Sequence, residues 1–260
     1  MAVSARVLIA SALALSGCNV VFGVDGHSDG GASSQCTPEL VSDGLSGWYP
    51  LKALDGATLP ACVGVPGTCE PAACPDEDKD GVYGSALRFS AGRYATVPPA
   101  AEPPSQSGAL TVAFWLRVDE LHGDVCPVRK VTTGGGGNVW GLCLRGLADG
   151  AGTATARWTD AITHAYVTVV RSPIAKGSWM HVVMRSDGTR VELLISGTSA
   201  GMASITKFFD YGNELRLGSE IDGVEPAAFD GALADLRVYN RVLTDPEIKQ
   251  LSMMVAPQPL

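Results

Sequence analysis

Basic residues are the minority charge in this chain of 260 residues: 19 Lys and Arg stand against 27 Asp and Glu, a formal net charge of -8 at pH 7. Nucleic-acid binding needs clustered Lys and Arg against phosphate. No basic stripe is visible along the sequence, so no nucleic-acid partner is expected. An acidic balance of this kind suits an extracytoplasmic surface and names no partner. Long apolar runs are also missing. The run Val7 to Leu15 is too short to cross a ~30 Å hydrocarbon core as a helix. There is no Gly-rich phosphate loop, no HExxH and no GxSxG, so the signatures of phosphate binding, zinc proteolysis and serine hydrolysis are all wanting.

Glycine, by contrast, is abundant: 31 residues against a usual share of about 7%, which favours many tight turns over long helices. The length fits a single all-β domain with appendages, large enough to bury its own core. Leu110 to Val118, LTVAFWLRV, places Leu110, Val112, Phe114, Leu116 and Val118 on one face and Thr111, Ala113, Trp115 and Arg117 on the other. That period of two predicts a half-buried strand. TATARW, HAYVTVV, GSWMHVVMRS, TRVELLIS and NELRLGS read the same way, and Ser186-Asp187-Gly188-Thr189 is a hairpin signal. In the last long run, Ala232, Ala234, Leu236 and Val238 are expected on one face, with Leu233, Asp235, Arg237 and Tyr239 on the other. Thr244 followed by Glu247 makes a capping box that starts a short helix. The expected fold is an all-β, two-sheet antiparallel sandwich with one short C-terminal helix.

Residues 1–17 carry Arg6, an apolar stretch and a small-residue end, and read as a secretory signal peptide. Leu15-Ser16-Gly17-Cys18 resembles the bacterial lipobox. The resemblance implies cleavage before Cys18, lipidation of its thiol, and stable anchoring in a membrane by several acyl chains. Asn19 replaces the Asp that retains such proteins at the inner membrane, so the bacterial cell envelope, at the outer membrane or cell surface, is the expected location. Residues 18–35, rich in Gly, Ser and Asp, read as a flexible tether.

Cys36, Cys62, Cys69, Cys74, Cys126 and Cys143 remain once Cys18 is set aside. An even number in an exported chain predicts disulfides. Cys126 and Cys143 lie in strand-like runs on either side of TTGGGGN, and a hairpin would bring them together. Cys36, Cys62, Cys69 and Cys74 are expected to pair among themselves and to hold a long Cys-rich loop at about 52–81 in order. Zinc is the competing reading, disfavoured by the oxidising compartment and by the lack of paired CxxC spacing.

Phe229 to Leu243, FDGALADLRVYNRVL, resembles the closing signature of LamG-like (laminin G type, concanavalin A-like) jelly-roll modules, with Ala234 where those carry a first acid. LSGWYPL, the segment Val82 to Val97, the strand LTVAFWLRV and the WMHVV–RSDG–VELLISG region resemble further segments of the same family in the same order. The resemblance implies a jelly roll within residues 36–255. It also implies a non-enzymatic module that recognises carbohydrate or protein ligands; a structural envelope protein without a small ligand is the alternative.

Asp76, Asp78 and Asp80, followed by Gly81, match the first half of a calcium loop, although Leu87 stands where its closing Glu belongs. Calcium is therefore a candidate cofactor, with Asp230 and Asp235 as further candidate ligands. Trp115 and Trp158 are candidate sugar-stacking residues on the outer sheet face. His181 is expected to be a buried structural residue. Glu220, Asp222 and Glu225 have the ExDxxE spacing of retaining glucanases, which need two carboxyls about 5 to 5.5 Å apart. Here Gly223 and Pro226 break the strand such chemistry requires, so hydrolysis is the least favoured function.

Overall fold

Alternating side chains build two antiparallel sheets that stack around one core. The computed structural model describes residues 36, 41–99, 108–121, 123–131, 138–146, 152–171, 173–208, 214–218 and 229–253. Sheet A contains β1 (Leu45–Tyr49), β4 (Asp76–Asp78), β5 (Ala86–Phe89), β7 (Ala109–Leu121), β12 (Trp179–Asp187), β13 (Arg190–Ile195), β14 (Thr198–Ser204) and β16 (Phe229–Tyr239). Its order is β14-β13-β12-β7-β16-β5-β4, with β1 also paired to β16. Sheet B contains β2 (Thr58–Leu59), β3 (Gly67–Thr68), β6 (Ala95–Val97), β8 (Asp124–Val131), β9 (Asn138–Gly146), β10 (Gly152–Thr159), β11 (Tyr166–Arg171) and β15 (Leu215–Leu217). Its order is β11-β10-β9-β8-β15-β6-β3-β2.

The strand β7 shows why the sheets stack. Val112, Phe114, Leu116 and Val118 point into the inter-sheet core with Leu87, Phe89, Leu142, Leu144, Val182 and Leu193. From sheet B, β10 adds Ala154, Ala156 and Trp158. Small Ala beside large Trp lets the two layers interdigitate at the density of an organic crystal.

The last strand departs from the expected alternation. Leu233 and Leu236 both reach the inter-sheet core, while Ala232, Ala234 and Tyr239 lie on the other face. A bulge between Ala234 and Arg237 in the pairing with β7 inserts the extra step. Asp235 takes the left-handed conformation there (φ 48°), which Asp tolerates better than most residues.

The Cys-rich segment is less loop-like than expected. It contains the short strands β2, β3 and β4, each added to a sheet edge. Disulfides Cys36–Cys62 and Cys69–Cys74 staple it, and Cys126–Cys143 joins β8 to β9. The helix α1 (Asp245–Ser252) starts at the Thr244–Glu247 capping box. It lays Ile248 and Leu251 on the outer face of sheet A against Ala113, Val183 and Leu194.

Candidate functional site

Two patches of the outer face of sheet A are covered, while Met202 on β14 is 58% exposed. Helix α1 covers one end. At the other, Val82 and Tyr83 pack over Trp115, Ala232 and Ala234. Trp115, a candidate for sugar stacking, is therefore buried (8% exposed). Its Nε1 donates to the Tyr83 hydroxyl at 3.2 Å, and its ring centre lies 5.1 Å from that of His181. Tyr83 in turn donates to Asp235 Oδ2 at 3.4 Å. Burial first, and the nearby Asp235 charge second, push the Tyr83 phenol well above its ordinary pKa. His181 is buried as expected. Burial, then the positive charge of Arg237, pull its imidazole down from 6.5 to about 4, so it is neutral at physiological pH and shut away from any substrate.

The acids singled out for calcium do not make a calcium loop. Asp76 and Asp78 belong to the paired strand β4. Asp76 faces Arg93 at 3.2 Å, and Asp78 takes the Arg117 guanidinium at 2.6 Å and the Asp80 N–H at 2.9 Å. Asp230 pairs with Arg88 at 2.9 Å. Asp235 is buried (7% exposed) and accepts from Trp48 Nε1 at 2.8 Å and Arg237 Nε at 3.0 Å. Among the described residues, no three His, Cys, Asp or Glu side chains converge as a metal-ligand set. Asp76, Asp78, Asp230 and Asp235 each already face an arginine, which is the reverse of what a hard cation needs. Gly81 has its own local reason: a Cβ there would fall 2.0 Å from the carbonyl carbon of Ser85. The tight 81–85 turn requires glycine whether or not a metal binds.

Sheet B presents a different outer face. Strand pairing carries one lateral row across it: Thr168 beside Arg157, then Gly141, Arg129, Arg216, Thr96 and Thr68. Their chain neighbours Ala156, Trp158, Leu142, Val128, Leu215, Leu217 and Val97 point into the core, so the row lies on the side away from it, although Arg129 and Gly141 at its centre are buried. Trp158, the second stacking candidate, is thus a core residue, fully buried, and its Nε1 has no hydrogen-bond partner. It cannot meet a ligand from solvent. Tyr166 is an accessible aromatic of this face, 51% exposed, opposite Thr159 and two residues along from Thr168. Its hydroxyl accepts the Asn138 N–H at 3.3 Å. The Asn138 side-chain oxygen takes Arg129 Nη1 at 3.4 Å, and its Nδ2 lies 3.9 Å from Cys143 Sγ. One asparagine therefore links the tyrosine, an arginine of the row and the Cys126–Cys143 bridge.

Tyr166 was not singled out in the sequence. The signal was there in the parity of HAYVTVV against TATARW, which puts Tyr166 outward once the strands pair. Cys18 and the glucanase-like acids Glu220, Asp222 and Glu225 lie outside the described residues.

With this geometry in hand, the comparisons agree on the fold. The sequence model of the laminin G type 3 family, described as the Concanavalin A-like lectin/glucanases superfamily, matches residues 89–249, and the chain belongs to that family. No sequence match was found among curated proteins. Among solved structures, a Trypanosoma rangeli sialidase in complex with sialic acid superposes with a TM-score of 0.63 at 16% identity, over 86% of this chain and 35% of the sialidase. The binding domain of Paraclostridial Mosquitocidal Protein 1 gives 0.63 at 16% identity, over 81% of this chain and 52% of that one. The ligand binding domain of botulinum neurotoxin serotype D in complex with N-acetylneuraminic acid gives 0.60 at 12% identity, over 81% and 50%. The chain thus spans between about a third and a half of these proteins, and at such identities the likeness is one of fold.

Proposed function

We propose that the protein is a non-enzymatic binding module of the bacterial cell surface that recognises carbohydrate or protein ligands, held to its membrane by a lipid on Cys18. The domain would comprise residues 36–255, carried on the tether 18–35. The observation that carries this reading is the contrast between the two outer faces. Helix α1, Val82 and Tyr83 cover two patches of the outer face of sheet A, whereas sheet B exposes Tyr166 and Thr168 beside the half-buried Arg157. An aromatic ring next to hydroxyl and guanidinium donors is the kind of lining that orients a polar ligand. The lectin-type fold supports the reading, as do solved neighbours described as binding domains. The sealing of His181 speaks against its service as a catalytic base. Of the candidate calcium ligands, Asp76, Asp78, Asp230 and Asp235 are engaged by arginines, so the proposal is made without a metal.

A screen of the purified full-length protein on immobilised glycans and on surface proteins tests the recognition. Binding without turnover, weakened by Tyr166→Ala, is expected. Cleavage of the bound glycan, abolished by Glu220→Gln, would instead establish an enzyme. For the anchor, metabolic labelling with an alkyne fatty acid should mark the protein, and Cys18→Ser should abolish the label.

A further inference from the structure

The described strands at the ends of the sheets are β14 and β4 in sheet A and β11 and β2 in sheet B. All but β11 are guarded against further pairing. Strand β2 is two residues long. Strand β4 carries Asp76, Glu77 and Asp78 in a row. Strand β14 is bulged in its pairing with β13, at Leu193 and Leu194. The side of β1 away from β16 is taken up by the backbone of Cys62 and Val63. Shortness, charge and bulges are the usual protections of an exposed edge. Strand β11 has none of them between Tyr166 and Val170: no charge, no proline, and an unbroken register with β10. Among the described residues, no strand pairs with its other side.

The turn before β11 fixes which of its backbone groups are free. Asp160 N–H donates to the Ala165 carbonyl at 2.9 Å. Bonding in an antiparallel pair alternates, so Val167, Val169 and Arg171 bond to β10, while Tyr166, Thr168 and Val170 turn their N–H and C=O groups to the open edge. The same three side chains lie on the outer face and are exposed, Val170 at 54%. Val169 faces the core, where a Cβ on Gly201 of β14 would come 3.1 Å from its Cγ1. The opposite sheet therefore meets β11 from beneath and not along its edge.

We infer that β11 pairs with β11 of a second copy of this chain, antiparallel about a two-fold axis at Thr168. A partner strand must set outward residues opposite outward residues. Centring on Thr168 is the register that uses all three edge residues. Thr168 then faces the partner's Thr168, and Tyr166 faces the partner's Val170, twice over by symmetry. Each pair exchanges two backbone hydrogen bonds, about six in all. On the core side, Val167 meets the partner's Val169. Thr–Thr and aromatic–β-branched pairs are among the stabilising cross-strand combinations. No like charges are set opposite one another, since Arg171 falls opposite the partner's Ala165. Arg157 lies beside Thr168 within its own sheet, so the two copies of it stand about 14 Å apart, beyond the Debye length at physiological salt. This self-complementarity is what a two-fold interface requires. The inference stands apart from the ligand reading and does not need it.

Sedimentation equilibrium of the purified full-length protein, in detergent and across a concentration series, should show monomer and dimer in exchange. Thr168→Lys sets two ammonium groups opposite each other and should raise the dissociation constant about tenfold. Thr168→Pro deletes an N–H at the edge while sparing the bonds to β10, and should leave monomer. Met202→Lys, at an exposed site on β14, should leave the dimer intact. Thermal melts check that each variant is folded. Thr168→Cys should cross-link to its equivalent with a short bismaleimide, and Ser199→Cys on β14 should not. Monomer at every concentration would overturn the inference, as would a dimer that survives both Thr168→Lys and Thr168→Pro. A dimer lost in Cys18→Ser would assign the association to the lipid and overturn it equally.

Discussion

Arg237 lies over the indole of Trp48, its guanidinium carbon 4.6 Å from the ring centre, while both residues donate to the same carboxylate of Asp235. Cation, ring and anion form one buried unit at the bulge of β16, and they tie that strand to β1. Removing one member of a buried ion pair strands the other charge, which costs about 3–5 kcal/mol. Asp235→Asn should therefore lower unfolding free energy by that order in urea titrations. Asn tolerates the left-handed backbone as Asp does, so the loss reports the charge. A decrease under about 1 kcal/mol would contradict the role given to this pair.

Acid should destabilise the protein through His181. Its folded-state pKa of about 4 lies below the unfolded 6.5, so between these values the unfolded chain binds the extra proton. The stabilisation is complete above about pH 6.5 and is lost as pH falls toward 4. The full span is worth roughly 3 kcal/mol. Urea melts across this range should show a slope that His181→Phe flattens. Glu247, drawn down to about 2 by Arg241 and the Thr244 N–H, adds its own loss only at lower pH.

Reduction of Cys126–Cys143 should cost about 3 kcal/mol, as expected for a loop closed over a sequence separation of 17. The paired Cys126→Ala and Cys143→Ala variant should show the same loss by denaturant melting. Because Asn138 lies against this bridge and also meets Tyr166 and Arg129, the variant should bind ligand more weakly as well.

Leu251→Ala should destabilise by about 2–5 kcal/mol, the usual cost of emptying a buried leucine site. The helix shields Ala113, Val183 and Leu194 on sheet A. Undocking it would therefore expose apolar surface, and increased dye binding or aggregation during thermal melts is the accompanying readout.

Much of the fold can be read in single stretches of chain, because strand alternation is local. The run Leu110 to Val118 shows its buried face directly, and the Thr244–Glu247 pair shows the start of α1. The inside–outside assignment fails where one residue changes the period, as at Asp235, since a bulge leaves no mark in composition. Trp115 and Trp158 illustrate a different limit. Residue type nominates an aromatic as a ligand platform, but only packing decides whether Val82 and Tyr83 cover it or the core absorbs it. The arginine row is the extreme case. Arg129, Arg157 and Arg216 come from separate strands, β8, β10 and β15, so their adjacency follows from strand pairing and not from any sequence pattern.

The Cys36–Cys62 bridge has a mechanical corollary. Tension applied from the amino-terminal side of Cys36 passes through the sulfurs directly to Cys62, short-circuiting the residues between them. The hydrogen bonds joining β1 to β16 then bear none of that load, and rupture under pulling must begin farther along the chain. Cleaving this bridge would place β1 in the line of force and let the module peel from its first strand.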